Sequence, residues 1–182
     1  MSRVTLIDPA NATGQTLEQL TQIKSAFGTV PNMFKAAANS QAALASMWGS
    51  FGALSGGRLD AKLGEQIAVA IADRNNCSYC LAAHTGLGRK AGATLDEMAQ
   101  AQAGRSADPR TAAALTFATR IVDNRGSIQT SDVNALRFAG FDDEDIVEIL
   151  AHVALNLFTN YLNVALDVPV DFPEVKLTRS VA

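Results

Sequence analysis

Residues 65–92 read EQIAVAIADRNNCSYCLAAHTGLGRKAG. This stretch contains both cysteines of the 182-residue chain, Cys77 and Cys80, and one of its two histidines, His84. Before the cysteines, apolar residues recur at four-residue spacing. The turn-forming pair Asn75–Asn76 lies between these apolar residues and Cys77, so we predict two helices joined by a tight turn. A Cys-x-x-Cys pair at a helix start, with a histidine one turn further on, is the feature that decides both fold and function.

The two cysteines and the histidine are predicted to share one face of a helix that runs from about Cys77 to Arg89. Cys77, Cys80 and His84 stand at positions i, i+3 and i+7, which face the same way on a helix. Two Cα atoms at i and i+3 lie roughly 5 Å apart, within the range of a disulfide. Cys77 falls in the first turn, where the helix dipole stabilises a thiolate, and this position favours it as the more acidic thiol. His84 can accept or relay the proton of Cys80.

Glu65 is the candidate partner of the histidine. It lies ten residues before Asn75, and His84 lies nine residues after Asn75. In a helical hairpin that turns at Asn75–Asn76, the two side chains stand at the same height on facing helices. A carboxylate beside an imidazole fixes its tautomer and raises its basicity. A straight or perpendicular helix pair would instead keep the two residues apart.

The cysteine pair leaves several interpretations open. The N-terminal segment lacks a charged stretch followed by an apolar run, so we expect no signal peptide and a cytoplasmic protein, in which structural disulfides are rare. The pair then indicates a catalytic redox site, a redox sensor or a zinc site. A zinc ion would take Cys77, Cys80 and His84, with His152 or Glu65 as fourth ligand, although structural zinc sites usually combine two Cys-x-x-Cys segments. The cysteines could also be small core residues, and the histidine a hydrogen-bonded core side chain.

The whole chain is predicted to be an all-α bundle. Its length is most simply that of one domain, residues 1–182, with a core at about 28–170 and an extended C-terminal arm at about 168–182. The expected helices are 16–27, a short helix after Pro31, 41–57, one capped by Asp60 with Leu63, Ile67 and Ile71 as a core stripe, 77–89, 94–104, 110–124, 131–138 and 143–166.

The last predicted helix, 143–166, mixes apolar and polar residues. Its expected apolar face consists of Ile146, Leu150, Val153, Leu157 and Tyr161. His152, Asn156, Asn160 and Asn163 interrupt the segment, which argues against a membrane span. The first three of these form a polar stripe that either lines a pocket or satisfies polar groups at a subunit contact.

Composition excludes some partners and leaves others open. The chain has 15 basic and 18 acidic residues, a net charge of -3 and a pI of about 5.3. No basic patch is present, so neither nucleic acid nor an anionic membrane is expected to bind. Phe34, Met47, Trp48 and Phe51 are expected in the core or in an apolar substrate wall.

Glu65, the segment Cys-Ser-Tyr-Cys at 77–80 and His84 together resemble the signature of the alkylhydroperoxidase D-like (AhpD-like) branch of the carboxymuconolactone decarboxylase family. The segments VPNMFKAAANS, ALRFAGFDDEDIVEILAHVALNLFTNYLNVAL and VPVDFPEV are similar to the family as well, so the resemblance covers about residues 28–175. It implies an AhpD-like helical bundle that assembles as homo-oligomers, either trimers or hexamers. It also implies a peroxidase without a cofactor, which reduces a small peroxide and draws electrons from an external dithiol such as a lipoyl group.

The resemblance also implies a role for each site residue. Cys80 would attack the peroxide and Cys77 would resolve the sulfenic acid into a disulfide, with Glu65 and His84 as the proton relay. Tyr79 stands where the best-characterised peroxidases of the family have a histidine. Since tyrosine is a poor base with a reference pKa of about 10, proton transfer at this position is expected to be slower or the substrate different.

Two other activities compete with the peroxidase interpretation. The chain could be a thiol–disulfide reductase acting on lipoyl or protein disulfides. It could instead be a non-catalytic oligomeric module that senses redox state or metal. Lactone decarboxylation is not expected, because the decarboxylase branch of the family lacks the cysteine pair.

Overall fold

The structure, a computed structural model, describes residues 2–178, and every regular element in that range is helical. A short 3-10 turn at Pro9–Asn11 precedes nine α-helices within these residues: α1 Gly14–Phe27, α2 Asn32–Ala37, α3 Gln41–Ser55, α4 Ala61–Arg74, α5 Ser78–Lys90, α6 Leu95–Gln102, α7 Pro109–Asp123, α8 Thr130–Phe138 and α9 Asp143–Ala165. The predicted all-α architecture is therefore confirmed, and the helix ends differ from the expected ones by one or two residues.

Helix α4 lies at the centre of the bundle, where it packs against α5, α6, α7 and α9. Its N-terminus is capped as expected, because the Asp60 side chain accepts a hydrogen bond from the Leu63 N–H at 2.9 Å. Leu63, Ile67 and Ile71 form the predicted core stripe and are buried. Because four helices surround α4, polar side chains on it can reach the interior of the bundle.

The turn between α4 and α5 occupies only Asn75, Asn76 and Cys77. The N–H of Asn76 donates to the Asp73 carbonyl at 3.2 Å, and the N–H of Cys77 donates to the Ala72 carbonyl at 2.9 Å. This is the Schellman pattern that closes a helix with a left-handed residue, and Asn76 takes that conformation with φ of 53°. Cys77 is also the N-cap of α5, so the chain reverses direction as the sequence predicts.

Helix α9 buries a different face from the predicted one. Ile146 and Val153 are buried as expected, but Leu150 is 37% exposed and Tyr161 is 58% exposed. The buried face runs instead through the side chains of Ile149, Asn156, Asn160 and Asn163. Polar amides therefore replace apolar residues on the inner side of this helix, and apolar residues remain on its outer side. Within residues 2–178, no helix is both long enough and apolar enough to cross a membrane.

The C-terminal arm extends from Val168 and has neither helix nor strand up to Thr178. The carboxylate of Asp171 accepts a hydrogen bond from the Asn32 N–H at 2.8 Å. At its far end, the N–H of Thr178 donates to the buried carboxylate of Asp73 at 2.8 Å. The arm is thus hydrogen-bonded at both ends to the helical bundle of the same chain. The last four residues of the predicted arm lie outside the described residues.

Candidate active site

The helical hairpin of α4 and α5 brings Glu65 and His84 into contact. Glu65 Oε2 lies 2.7 Å from His84 Nδ1, which is hydrogen-bonding distance. Gly88, one turn beyond the histidine, allows close packing here, because a Cβ placed there would lie 2.5 Å from the Met98 side chain and 3.3 Å from the Cβ of Glu65. The contact predicted from the spacing around Asn75 is therefore formed.

Glu65 favours the protonated form of His84. Burial disfavours the imidazolium, but the charge of Glu65, its hydrogen bond and the nearby Cys80 together raise the pKa of His84 above its usual value. The carboxylate thus favours the imidazolium form of the ring and holds its Nδ1. A positive charge next to a thiol favours the thiolate, which is the nucleophilic form of cysteine.

Both cysteines are free thiols buried at the start of α5. Cys77 is the N-cap, and Cys80 is the third residue of the helix. The Cys77 Sγ accepts a hydrogen bond from the Cys80 N–H at 3.3 Å. This contact orients the Cys77 side chain back over the first turn, toward its partner cysteine.

The two thiols differ in acidity, with Cys80 the more acidic. Burial alone would raise the pKa of Cys80, but the hydrogen bond with Cys77, the charge of His84 and the amides of Asn163 and Asn160 lower it to about 7. The hydrogen bond to Cys80 and burial raise the pKa of Cys77 well above its ordinary value. The expectation that Cys77 is the more acidic thiol is therefore wrong, because the hydrogen bond with Cys77, the charge of His84 and the α9 amides act on Cys80 and outweigh the position of Cys77 at the helix end.

Two asparagines on α9 complete the surroundings of the Cys80 thiol, and sequence analysis gave neither of them a role there. Asn163 Nδ2 donates to the Cys80 Sγ at 3.2 Å. Asn160 accepts a hydrogen bond from the Asn75 side chain at 3.0 Å through its Oδ1. The available signal was the spacing of polar residues on an apolar helix, but it does not show which side of α9 is buried.

Tyr79 connects the site to other parts of the fold. Its hydroxyl oxygen accepts a hydrogen bond from the Met33 N–H at 3.1 Å. The Phe172 ring of the C-terminal arm packs edge-on against it, with ring centroids 5.5 Å apart. Burial raises the pKa of Tyr79, so its phenol stays neutral. These contacts give the tyrosine a structural role at the start of α5.

Two pockets meet at His84. The smaller, of about 30 Å³, has Cys80 in its wall, and its other lining residues are mostly apolar: Phe27, Pro31, Met33, Phe34, Phe51, Tyr79, Ala83, Leu87 and Phe172. Two of the aromatic residues expected in the core or in a substrate wall, Phe34 and Phe51, thus lie beside the thiol. The pocket offers an apolar approach to the sulfur.

The larger pocket, of about 190 Å³, lies on the Glu65 side of His84 and includes His152 and Asn156. Two residues of the polar stripe of α9, His152 and Asn156, therefore line a pocket, and the third, Asn160, does not. Burial lowers the pKa of His152 and keeps its ring neutral. Within residues 2–178, no three His, Cys, Asp or Glu side chains converge as the ligands of a metal ion do.

Comparison with known proteins identifies the fold. The chain is similar in structure to an uncharacterized peroxidase-related protein from Silicibacter sp. TM1040, with a TM-score of 0.80, 25% identity and coverage of 92% of this chain and 91% of that one. It is similar to an alkylhydroperoxidase AhpD core protein from Ralstonia eutropha JMP134, with a TM-score of 0.85, 25% identity and coverage of 93% and 92%. The debrominase Bmp8 shares the fold, with a TM-score of 0.77, 18% identity and coverage of 92% and 91%.

The fold and site define an AhpD-like helical bundle with a buried Cys-x-x-Cys pair. The model of the carboxymuconolactone decarboxylase family matches residues 38–124, which span α3 to α7 and contain Glu65, both cysteines and His84. This central part of the chain matches the family, and the chain as a whole resembles an AhpD core structure. A comparison with curated proteins found no match.

Proposed function

We propose that the protein is a thiol-dependent peroxidase in which Cys80 attacks the peroxide. The observation that carries this proposal is the surroundings of Cys80, whose pKa is lowered to about 7 beside an imidazolium held by Glu65. A thiolate is the nucleophilic form of cysteine, and the reaction also needs a proton for its leaving group. The names of the two 25% identical structures, peroxidase-related in both cases, support the same reaction class.

The first step transfers one oxygen atom to sulfur. The Cys80 thiolate attacks the terminal oxygen of a hydroperoxide ROOH, so that an S–O bond forms while the O–O bond breaks. The leaving alkoxide RO⁻ takes a proton from His84 and departs as the alcohol ROH. Sulfur loses two electrons and the peroxide gains them, which leaves Cys80 as a sulfenic acid. Glu65 stabilises the imidazolium before this transfer.

The second step closes the disulfide. The Cys77 sulfur attacks the Cys80 sulfur, the S–S bond forms and the S–O bond breaks. The leaving hydroxide takes the Cys77 proton and becomes water. An external dithiol, of the lipoyl or a similar kind, then reduces the Cys77–Cys80 disulfide and is itself oxidised to a disulfide. We expect this cycle in the cytoplasm, where both thiols are kept reduced.

The proposal is tested by counting thiols. The reduced protein is mixed with one equivalent of tert-butyl hydroperoxide, and free thiols are followed in the wild type and in the Cys77→Ser and Cys80→Ser variants. We expect both thiols to disappear within seconds in the wild type, and a sulfenic acid to be trapped only in Cys77→Ser. Thiols that persist for many minutes, or a sulfenic acid on Cys77 alone, would contradict the proposal and favour a disulfide reductase.

We further propose that copies of the chain associate through α9. The outer stripe of α9, formed by Val147, Leu150, Phe158 and Tyr161, has i, i+3, i+11 and i+14 spacing, so these apolar residues share one face. All four are at least 37% exposed. A helix face of this kind is suited to the same face of a second copy, as in coiled coils. The proposal agrees with the homo-oligomer that the sequence resemblance implies.

A further inference from the structure

Two amide atoms near the thiol are buried and have no hydrogen-bond partner. They are Nδ2 of Asn160 and Oδ1 of Asn163. Asn160 is fully buried, and Asn163 is only 3% exposed. Native proteins rarely leave such atoms unpaired, because burying a polar group without a partner is costly. Their presence beside a reactive sulfur therefore needs a reason.

The other ends of both amides are held in place. Asn163 uses its Nδ2 to donate to the Cys80 Sγ at 3.2 Å, which leaves its Oδ1 facing the interior without a donor. Asn160 uses its Oδ1 to accept from Asn75 at 3.0 Å, so its Nδ2 is the free end. The Asn160 amide is close enough to Cys80 to lower the pKa of the thiol, although it forms no hydrogen bond of normal geometry with it.

The free ends therefore offer one hydrogen-bond donor and one acceptor. The reduced sulfur next to them forms a hydrogen bond of normal geometry with neither. A thiol or thiolate is a weak hydrogen-bonding partner, and it cannot pair with both ends at once. A sulfenic acid differs in this respect, since its S–O–H group adds an oxygen that accepts and a hydrogen that donates. The pair of unused amide ends matches that group in number and in kind.

We propose that Asn160 and Asn163 form a binding site for the oxygen atom that Cys80 takes from the peroxide. In the sulfenic acid, the oxygen accepts a hydrogen bond from Asn160 Nδ2, and its hydroxyl donates to Asn163 Oδ1. Rotation about the Cβ–Sγ bond carries the oxygen there from the apolar pocket where it is transferred. This inference rests on the peroxidase function proposed above.

The site would act on the second step of the cycle. When Cys77 attacks the Cys80 sulfur, the S–O bond breaks and negative charge develops on the departing oxygen. A donor already placed at that oxygen stabilises the charge, as oxyanion-binding donors do in other enzymes. The acceptor at Asn163 holds the hydroxyl in one orientation until the attack. Asn75 is a positioning residue, because it fixes which end of the Asn160 amide points to the sulfur.

The two steps are separated by rapid quenching and mass spectrometry after mixing with tert-butyl hydroperoxide. We expect Asn160→Leu to form the sulfenic acid within a few-fold of the wild-type rate, and to close the disulfide about tenfold or more slowly. Asn163→Leu is expected to slow both steps, since it also removes the hydrogen bond to the thiol. Accumulated sulfenic acid is thus the signature, and a control variant on the same helix shows whether a structural change alone produces it.

Thr159→Val is the matched control. Thr159 lies next to Asn160 on α9, is 1% exposed, and donates its hydroxyl only to the carbonyls of its own helix. The inference is overturned if Asn160→Leu closes the disulfide at the wild-type rate, or if Thr159→Val accumulates the sulfenic acid as well. Should Asn160→Leu fail to fold, Asn75→Ala is the alternative, because Asn75 is only half-buried. It removes the hydrogen bond that holds the Asn160 amide and is expected to slow closure of the disulfide. A wild-type protein whose thiols survive the peroxide would contradict the peroxidase function itself.

Discussion

The side chains of Glu65 and His84 are in contact although they are nineteen residues apart and lie on two different helices. Their 2.7 Å contact joins the first half of α4 to the middle of α5, one helical turn beyond Cys80. The carboxylate keeps the imidazole charged in a buried place, where burial alone would make it neutral. Acidity at Cys80 therefore depends on a residue that does not touch the sulfur.

Glu65→Gln is expected to weaken the site through His84. Without the carboxylate, the pKa of His84 falls and the ring loses its charge, so the pKa of Cys80 rises toward that of an ordinary thiol. Oxidation by peroxide near pH 7 should slow by about tenfold or more. Thiol loss followed against time measures the effect. Glu18→Gln, at an exposed position of α1, is the control, and an equal loss of rate there would contradict a specific role for Glu65.

The pH dependence of thiol alkylation is expected to show one reactive cysteine. Cys80 should react with iodoacetamide with a midpoint near its pKa of about 7, because the thiolate is lost as the pH falls below that value. Cys77→Ala should shift the midpoint upward, whereas Cys77→Ser should shift it less, since a hydroxyl can still donate to the thiolate. A midpoint near 8.5 in the wild type would contradict the proposed acidity.

The same shift in pKa connects folding stability with pH. Cys80 has a lower pKa in the folded protein than the value of about 8.5 in an unfolded chain, so its ionisation favours the folded state. That contribution is complete above the unfolded pKa and is lost as the pH falls through about 7. Denaturant melts of wild type and Cys80→Ser between pH 6 and pH 9 (roughly the range that brackets both values) should therefore differ in slope.

Tyr79→Phe is expected to affect stability more than chemistry. The substitution removes the acceptor of the buried Met33 N–H and keeps the ring that packs against Phe172. The free energy of unfolding should fall by about 1 kcal/mol, and the rate of Cys80 oxidation should change little. Chemical denaturation and peroxide kinetics on the same sample measure both. A large loss of rate at unchanged stability would instead assign the phenol a part in proton transfer.

Phe172→Ala is expected to widen access to the thiol. Phe172 is half-buried, packs on Tyr79 and lines the small apolar pocket beside Cys80. Its removal should lower the free energy of unfolding by about 1–3 kcal/mol and increase the rate with cumene hydroperoxide relative to tert-butyl hydroperoxide. Val170→Ala, at a 43% exposed position on the same arm, should leave that ratio unchanged. An unchanged ratio in Phe172→Ala would place the route to Cys80 elsewhere.

Tyr161→Glu is expected to reduce the oligomer to smaller units. The side chain is 58% exposed on the outer stripe of α9, so a charge there costs little in one copy and much in a buried contact between copies. Light scattering gives the mass of the particle. Leu95→Glu is the control, because Leu95 is 64% exposed on α6, away from the stripe. If both variants keep the wild-type mass, the contact does not use α9.

Local sequence was sufficient to predict the helical hairpin. The four-residue apolar spacing before Asn75 and the turn-forming character of Asn76 determine where α4 ends and α5 begins. Because α4 ends and α5 begins at that turn, counting residues away from it on each side was enough to predict that Glu65 lies opposite His84. The prediction needed no information from outside residues 60–92.

The face of α9 and the order of thiol acidity could not be predicted in the same way. A helical pattern assigns apolar residues to the interior, but the interior beside Cys80 is lined by the amides of Asn160 and Asn163. The acidity of Cys80 depends on Cys77 and His84 in its own helix segment, and in addition on the amides of α9. The contribution of α9 cannot be predicted from the position of Cys80 in the sequence.

The hydrogen bond between Asn163 and Cys80 spans 83 residues of the chain. Ribosomes make the cysteines long before they make α9 and the arm that carries Phe172, so a growing chain has the cysteine pair without its amide neighbours. Its Cys80 lacks the asparagine amides that help to lower the pKa of the thiol in the complete fold. On the function proposed above, Cys80 therefore reaches its full acidity only after the last helix has been made and has packed against α5.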